Sequence, residues 1–124
     1  RTIARAESLA MDLNAGSRVT VQPLAETTAL ADAGLVINST SIGMEPDAEA
    51  SPLGDGAGLH DGMVVVDIVY KPLETRLLQQ ARVAGARTVD GLGMLVHQGA
   101  RAFELWTGVA PPVDVMRNAL TQLN

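Results

Sequence analysis

Two arginines, Arg1 and Arg5, are spaced one helical turn apart where the sequence predicts the start of a helix. Because a helix N-terminus carries partial positive charge, each cation there costs about 0.3–1 kcal/mol unless an anion offsets it. A bound phosphate would supply that anion, held by both guanidinium groups, the Thr2 hydroxyl and free backbone N–H groups. Position alone equally allows both arginines to be solvated.

A run of small polar residues begins at Asn38, the last residue of the predicted strand Leu35–Asn38. This segment is too short and too β-branched for a helix. In an open α/β sheet, ligands bind at the edge where the strands end. Hydroxyl, amide and backbone groups at that edge suit a sugar or a phosphate, although an ordinary loop has the same composition. The residues concerned are Asn38, Ser39, Thr40 and Ser41.

A second strand, Met63–Val69, is almost continuously apolar, as a strand buried on both faces must be. Asp67 interrupts it, and an unpaired buried carboxylate is expensive. We therefore expect Asp67 to accept hydrogen bonds from nearby loop N–H groups, with no catalytic role. Tyr70 is the only tyrosine and follows this strand, where a substrate would lie.

Two glycines, Gly91 and Gly93, stand between the predicted strand Arg87–Val89 and a long helix. Residues without a side chain let a ligand ring approach the backbone closely. Met94 and Gln98 are four residues apart and therefore share one helical face. A helix that begins after a strand directs Gln98 toward the ligand edge, although a plain surface position would also suit it.

Composition excludes several classes of function. The chain carries a net charge of −5 and has no Lys/Arg run, so we expect no nucleic-acid partner. It contains no cysteine, and His60 and His97 share no ligand spacing, so we expect no metal site and a solvated His60. No apolar run could span a bilayer and no signal peptide is visible, so we expect a cytoplasmic protein without a membrane partner.

The elements that position these residues alternate between strand and helix. Predicted strands cover Arg18–Leu24, Leu35–Asn38, Met63–Val69 and Arg87–Val89. Predicted helices cover Ala6–Leu13, Thr27–Ala33, Leu92–Trp106, Val113–Leu123 and a segment that runs from an N-cap at Thr75 through Ala84. Such alternation predicts parallel strands joined by crossover helices, so the fold class is α/β. A length of 124 residues suits one domain.

Four ordered motifs, spread over nearly the whole chain, resemble the C-terminal half of the shikimate dehydrogenase family. The first is Arg1-Thr2 with Arg5, similar to the family's NRT stretch without its Asn. The others are INSTSIGM at 37–44, VVVDIVYKPLETRLLQQA at 64–81 and DGLGMLVHQGARAFELWTG at 90–108. Four motifs in the correct order and spacing are a far more specific signal than one glycine-rich loop.

This resemblance implies a Rossmann-like, doubly wound parallel sheet, present here as its second half plus C-terminal helices. It implies a partial NADP-binding domain over residues 1–110 and, over 111–124, a helix that packs on a substrate domain. In the family, the glycine-rich pyrophosphate loop and the substrate domain precede the part that matches. We therefore expect a chain truncated on its N-terminal side, with Arg18–Leu24 as an exposed or re-paired sheet edge.

The resemblance also implies a reaction: reversible reduction of 3-dehydroshikimate to shikimate by NADPH, in the chorismate pathway of aromatic amino acid biosynthesis. The implied cofactor-binding residues are Arg1, Thr2, Arg5, Asn38, Ser39, Thr40, Ser41, Ile68, Gly91 and Met94. Tyr70 and Gln98 are the implied shikimate-binding residues. The family's catalytic Lys/Asp pair belongs to the substrate domain, so we expect no catalytic residue here. The chain alone should be inactive and bind NADP weakly.

Two further hypotheses stay open at this point. The chain could be a non-catalytic module that binds NADP or docks on a partner. It could also come from a related dehydrogenase that uses quinate or NAD, although Arg1 and Arg5 favour the 2′-phosphate of NADP. The sequence leaves homo-oligomerisation open as well, because the last predicted helix has an apolar face.

Overall fold

The structure is a computed structural model that describes residues 2–24 and 30–122. Four helices are present: α1 (Ile3–Asp12), α2 (Arg76–Val83), α3 (Leu92–Thr107) and α4 (Val113–Thr121). A single turn of 3₁₀ helix covers Gly16–Arg18. The three strands are β1 (Leu35–Asn38), β2 (Val64–Asp67) and β3 (Arg87–Val89).

The strands form one parallel sheet in the order β1-β2-β3. Leu35 pairs with Val64 and Asn38 pairs with Asp67, so β1 and β2 end level with each other. Parallel pairing requires long crossovers, and α2 supplies the one between β2 and β3. The α/β class with a parallel sheet, expected from the sequence, is confirmed.

The core lies between α2 and one face of the sheet. Val65 of β2 is fully buried, and Leu77, Leu78 and Ala81 of α2 pack over it. These three residues recur at the spacing of one helical face, so a single stripe of α2 covers the sheet. α2 begins at Thr75, whose hydroxyl oxygen accepts a hydrogen bond from the Leu78 N–H. This is the N-cap that the sequence predicts.

The C-terminal helices pack on each other. α3 buries Leu92, Val96 and Ala100 on one side. It ends at Gly108, which has a left-handed φ of +70° and donates its N–H to the Glu104 carbonyl. Within residues 2–24 and 30–122, no helix is long and apolar enough to cross a membrane.

The expected strand Arg18–Leu24 is wrong. Gly16–Arg18 is a helical turn, and the described residues that follow it, although Val19 is extended, belong to no sheet. The physical reason is that, among the described residues, β1 has β2 as its one partner, so the alternating apolar residues of 18–24 have no strand to pair with. Extended backbone without such a ladder is not a strand.

Some predicted boundaries also change. The first three residues of the helix expected over Thr27–Ala33 lie outside the described part, and Leu30–Ala33 forms a turn closed by the Ala33 N–H on the Leu30 carbonyl. The final helix ends at Thr121, and the predicted end at Leu123 lies outside the described residues. β2 is shorter than predicted because only Val64–Asp67 has partners on the sheet.

Candidate functional site

A buried polar network joins the carboxyl ends of β1 and β2 to the start of α2. Its members are Asn38, Asp67 and Thr75, which are 4%, 0% and 0% exposed. Parallel strands bring Asn38 and Asp67 side by side in register. The network lies at the sheet edge where ligands of open α/β sheets bind.

Asp67 is the centre of this network. Its Oδ1 accepts hydrogen bonds from Asn38 Nδ2 and from the Val69 N–H, both at 3.0 Å. Its Oδ2 accepts from the Thr75 hydroxyl at 2.7 Å. Three donors compensate the cost of removing this carboxylate from water. The predicted loop N–H partner is thus present, and two side-chain donors join it.

Both the Nδ2 and the Oδ1 atoms of Asn38 form hydrogen bonds within the protein. Its Nδ2 donates to Asp67 and to the Ile42 carbonyl, the latter at 3.2 Å. Its Oδ1 accepts from the Thr40 N–H at 3.0 Å and from the Thr40 hydroxyl at 2.7 Å. The Thr40 hydroxyl oxygen accepts in turn from the Ile42 N–H. Asn38 therefore shapes the loop after β1 and offers no free amide to a ligand.

A cleft of about 810 Å³ opens beside this loop. One wall is the start of α1, where Thr2, Ile3 and Ala6 lie. The other walls are residues 21–24 and the segment from Thr40 to Ile42. Thr2 makes no capping hydrogen bond, although it is the N-cap of α1. The structure thus brings together Thr2, Thr40 and Ser41, three of the residues predicted to bind a cofactor.

Of the two arginines predicted to bind a phosphate, the structure describes one. Arg1 lies outside the described residues. Arg5 is exposed on the first turn of α1, which contains no acidic residue. It does not line the cleft and forms no ion pair with another described residue. Its guanidinium group is therefore available to an anion from solution.

Gly91 lies in a crowded position at the start of α3. A Cβ built on Gly91 would stand 2.5 Å from the carbonyl oxygens of both Ile68 and Val69. The missing side chain therefore allows the segment after β2 to touch the start of α3. At Gly93, by contrast, a Cβ would meet nothing within 4 Å. The close approach predicted at Gly91 exists, and its partner in the structure is protein backbone.

Ile68 and Tyr70 follow β2 and Met94 lies on the first turn of α3, so these three predicted residues flank the same junction. Tyr70 is 41% exposed and Met94 is 46% exposed, whereas Ile68 is half-buried. Gln98 is exposed and donates from Nε2 to the Leu95 carbonyl at 3.0 Å. Ser39 is also exposed. None of these residues is among those that line the cleft beside α1, so the candidate site has two parts: this cleft, and the junction between the segment after β2 and the start of α3.

A backbone hydrogen bond and an ion pair connect two loops at this edge. The Glu45 N–H donates to the Lys71 carbonyl at 3.3 Å, and Lys71 Nζ lies 3.5 Å from Glu45 Oε2. Both side chains are about half exposed, so the ion pair itself contributes little. The hydrogen bond and the ion pair nevertheless join the loop after β1 to the segment after β2.

Two features escaped the sequence analysis. Thr75 is expected as an N-cap, yet its hydroxyl also donates to Asp67, a bond across eight residues that spacing does not signal. The prediction that His60 is solvated is wrong for its Nε2 atom, which is buried and has no hydrogen-bond partner in the described structure. The residue as a whole is half-buried. Among the described residues, no group of three His, Asp or Glu side chains could hold a metal ion.

Comparison with known proteins identifies relatives. The family described as "Shikimate 5'-dehydrogenase C-terminal domain" matches residues 91–121. A shikimate dehydrogenase (NADP(+)) of Symbiobacterium thermophilum is 52% identical over 96% of this chain and 42% of its own length. That of Methanosarcina barkeri is 45% identical over 98% of this chain and 45% of its own length. The chain thus spans less than half the length of the curated relatives it matches.

Solved structures agree with these relatives. A shikimate dehydrogenase in complex with NADP+ is 40% identical, with a TM-score of 0.85 over 98% of this chain and 44% of the other. A Thermus thermophilus enzyme in complex with NADP(H) and shikimate is 38% identical, with a TM-score of 0.81 over 98% and 43%. A Corynebacterium glutamicum quinate dehydrogenase in complex with NAD is 35% identical, with a TM-score of 0.82 over 97% and 43%.

Proposed function

Since this chain corresponds over nearly its whole length to the C-terminal part of shikimate dehydrogenases, we propose that it forms the NADP-binding side of such an enzyme. The reaction proposed is reversible hydride transfer between NADP(H) and the ring carbonyl of 3-dehydroshikimate. The cofactor supplies the hydride when it is bound, and the residues of this chain bind and orient it.

The observation that carries the proposal is the cleft at the carboxyl edge of the sheet. Thr2, Thr40 and Ser41 are among the residues that line it, beside the first turn of α1. Apolar walls with a few hydroxyls fit a nucleoside, and a helix N-terminus fits its phosphate. Relatives whose names or structures include NADP support this choice of cofactor.

We assign the 2′-phosphate of NADP to Arg1, Thr2 and Arg5. Arg5 supports this role because it is exposed and has no acidic neighbour in the first turn of α1. Thr40 and Ser41 would contact the dinucleotide directly, with Ser39 beside them. Asn38 contributes differently from the sequence expectation, because its amide already holds the loop that these residues occupy.

The nicotinamide and the substrate belong at the second part of the site. Ile68 and Met94 flank the junction at which Gly91 meets the end of β2. They would pack near the nicotinamide ring, and the Gly91 backbone would bind its amide. Tyr70 and Gln98 are exposed there and would reach shikimate across the cleft.

This chain supplies no proton-transfer residue to the proposed reaction. Lys71 is its only lysine, and it is clasped to Glu45 on the surface. We therefore propose that residues 1–110 act as part of an NADP-binding domain and that 111–124 pack against a substrate domain. The 124-residue chain alone should show no turnover in an absorbance assay with NADP⁺ and shikimate. Turnover in that assay would contradict this assignment.

A cofactor titration tests the binding proposal. NADP⁺ and NAD⁺ are titrated into the chain by calorimetry, before and after Arg5→Ala and Arg1→Ala. Each variant should weaken NADP⁺ binding by about tenfold or more, because a charge-assisted hydrogen bond is worth roughly 1.5–3 kcal/mol. NAD⁺ binding should not change. Arg87→Ala is the matched control, since Arg87 is exposed at the amino end of β3, on the opposite sheet edge.

The same titration separates the alternatives. Equal loss for both cofactors would reject the 2′-phosphate role of the arginines. Preference of the unchanged chain for NAD⁺ would favour the quinate dehydrogenase relative, which was solved with NAD. Because weak binding is expected of this chain alone, the titration extends to the highest cofactor concentration that calorimetry allows, and absence of binding to either cofactor even there would reject the proposal that this chain carries the cofactor site.

A further inference from the structure

Asp67 joins three chain segments through one buried carboxylate. Through Asn38 it reaches the loop after β1, through the Val69 N–H it holds the segment after β2, and through Thr75 it holds the start of α2. No other carboxylate of the described residues is buried. A polar network of this kind fixes one arrangement only when every member has its partners.

The segments held in this way are the ones that carry the two parts of the site. Thr40 and Ile42 line the cleft beside α1, and both are bonded within the Asn38 loop. Ile68 and Tyr70 flank Val69, the residue whose N–H Asp67 holds. One side chain thus sets where the cleft wall lies relative to the segment that touches Gly91.

We infer that Asp67 is a positioning residue that couples the two parts of the cofactor site. That the two parts bind a cofactor rests on the proposed function, whereas the hydrogen bonds of Asp67 do not depend on it. Asp67 is fully buried and does not line the cleft, so it touches no bound ligand. Its effect on binding passes through Asn38 and Val69.

Asp67→Asn is the informative variant because it keeps the shape and removes one acceptor. If the new amide oxygen faces Asn38 and Val69, the amide N–H₂ faces the Thr75 hydroxyl, which then loses its own acceptor. If the amide is turned round, the N–H₂ faces two donors. In either orientation at least one buried donor is left unpaired, which the protein relieves by moving a loop.

The first readout needs no ligand. In amide NMR spectra of the 124-residue chain, Asp67→Asn should shift the signals of Thr40, Ile42 and Val69 and speed their hydrogen exchange. Gln80→Ala, on α2, is the matched control. Gln80 holds the loop at Ser51 and Gly54 and has no bond to the network, so its loss should leave those three signals in place.

The second readout is cofactor affinity at a temperature where each variant is fully folded by circular dichroism. Asp67→Asn should bind NADP⁺ roughly tenfold more weakly, as expected for one unpaired buried donor. Gln80→Ala should bind like the unchanged chain, even if it unfolds at a lower temperature. A role in stability alone would move the unfolding temperatures of both variants and neither affinity.

A pair of variants at Thr75 covers the case in which Asp67→Asn does not fold. Thr75→Ser keeps the hydroxyl that donates to Asp67, whereas Thr75→Val keeps the shape and loses it. The valine variant should shift the Thr40 and Ile42 signals, and the serine variant should restore them. Unchanged signals in the valine variant would overturn the inference. Absence of NADP⁺ binding by the unchanged chain would overturn the proposed function and leave the NMR result to decide on Asp67.

Discussion

Gly91 shows how the space around one residue can matter more than its backbone angles. Its φ of −78° is open to any residue, so conformational freedom does not explain the glycine. The carbonyl oxygens of Ile68 and Val69 explain it, because a Cβ at this position would lie 2.5 Å from each of them. These are backbone atoms, so neither can turn aside as a flexible side chain would.

Gly91→Ala should therefore destabilise the fold, whereas Gly93→Ala should not. We expect Gly91→Ala to lower the free energy of unfolding by about 1–3 kcal/mol, the usual cost of forcing atoms into a packed site. Gly93→Ala adds a methyl in open space on the first turn of α3 and should be neutral or stabilising by up to about 1 kcal/mol. Urea denaturation of both variants measures the difference. Equal stability of the two would show that the contact at Gly91 yields at no cost.

Sequence pattern predicts which residues lie at the carboxyl edge of the sheet, but it does not predict which way each side chain turns. Asn38 is the last residue of β1, so it lies at the carboxyl end of the strand as the sequence predicts. Spacing cannot predict that its amide is taken by Asp67, Ile42 and Thr40, because two of these contacts depend on loop geometry and one on the strand register. The same holds for Thr75, whose hydroxyl both caps α2 and donates to Asp67.

At the scale of elements, the periodic pattern predicted well where an element finds its partners within this chain. Leu35–Asn38 and Arg87–Val89 are strands with the predicted bounds, because β2 pairs with both. The segment Arg18–Leu24 alternates just as clearly and is no strand. Local pattern reports which face a side chain would take, whereas strand formation depends on a neighbour that supplies hydrogen bonds.

Hydrogen exchange should separate these two kinds of extended segment. The amides of Val65 and Val66 lie in a strand paired on both sides, so we expect them to be among the most protected in the chain. The amides of Val19 to Val21 make no backbone hydrogen bond to a described residue and should exchange at nearly the rate of an unfolded peptide. Protection of the latter in dilute solution would mean that this segment pairs with something after all.

At the scale of the whole molecule, much apolar surface faces water. Leu35 and Ile37 lie on the face of the sheet opposite α2, and both are more than half exposed. At the end of α3, Leu105 and Trp106 are exposed too, Trp106 by 84%. Exposed apolar surface of this kind is typical of interaction sites. It accords with the proposal that this chain works against a further domain.

Trp106 is the only tryptophan, so its fluorescence reports on this surface alone. In dilute solution its emission should be that of water-exposed indole and should be strongly quenched by acrylamide. We expect copies of the chain to associate as concentration rises, with a shift of the emission to shorter wavelength, and sedimentation velocity to show the association.

A pair of glutamine variants provides the control for this association. Leu105→Gln should weaken it, whereas Val83→Gln, at a still more exposed apolar position on α2, should not. If both variants behave like the unchanged chain, the end of α3 is not the contact. If sedimentation shows a monomer at every concentration, the apolar surface stays in water.

The spatial order of the strands, β1-β2-β3, repeats their order along the chain. Each new strand can therefore dock on the outer edge left by the one before, and none has to be inserted between two that are already paired. A ribosome delivers a chain from its N-terminus at about 5–20 residues per second, far more slowly than a short loop closes. The sheet can thus grow during synthesis, one strand at a time, with Asp67 meeting Asn38 before β3 has been translated.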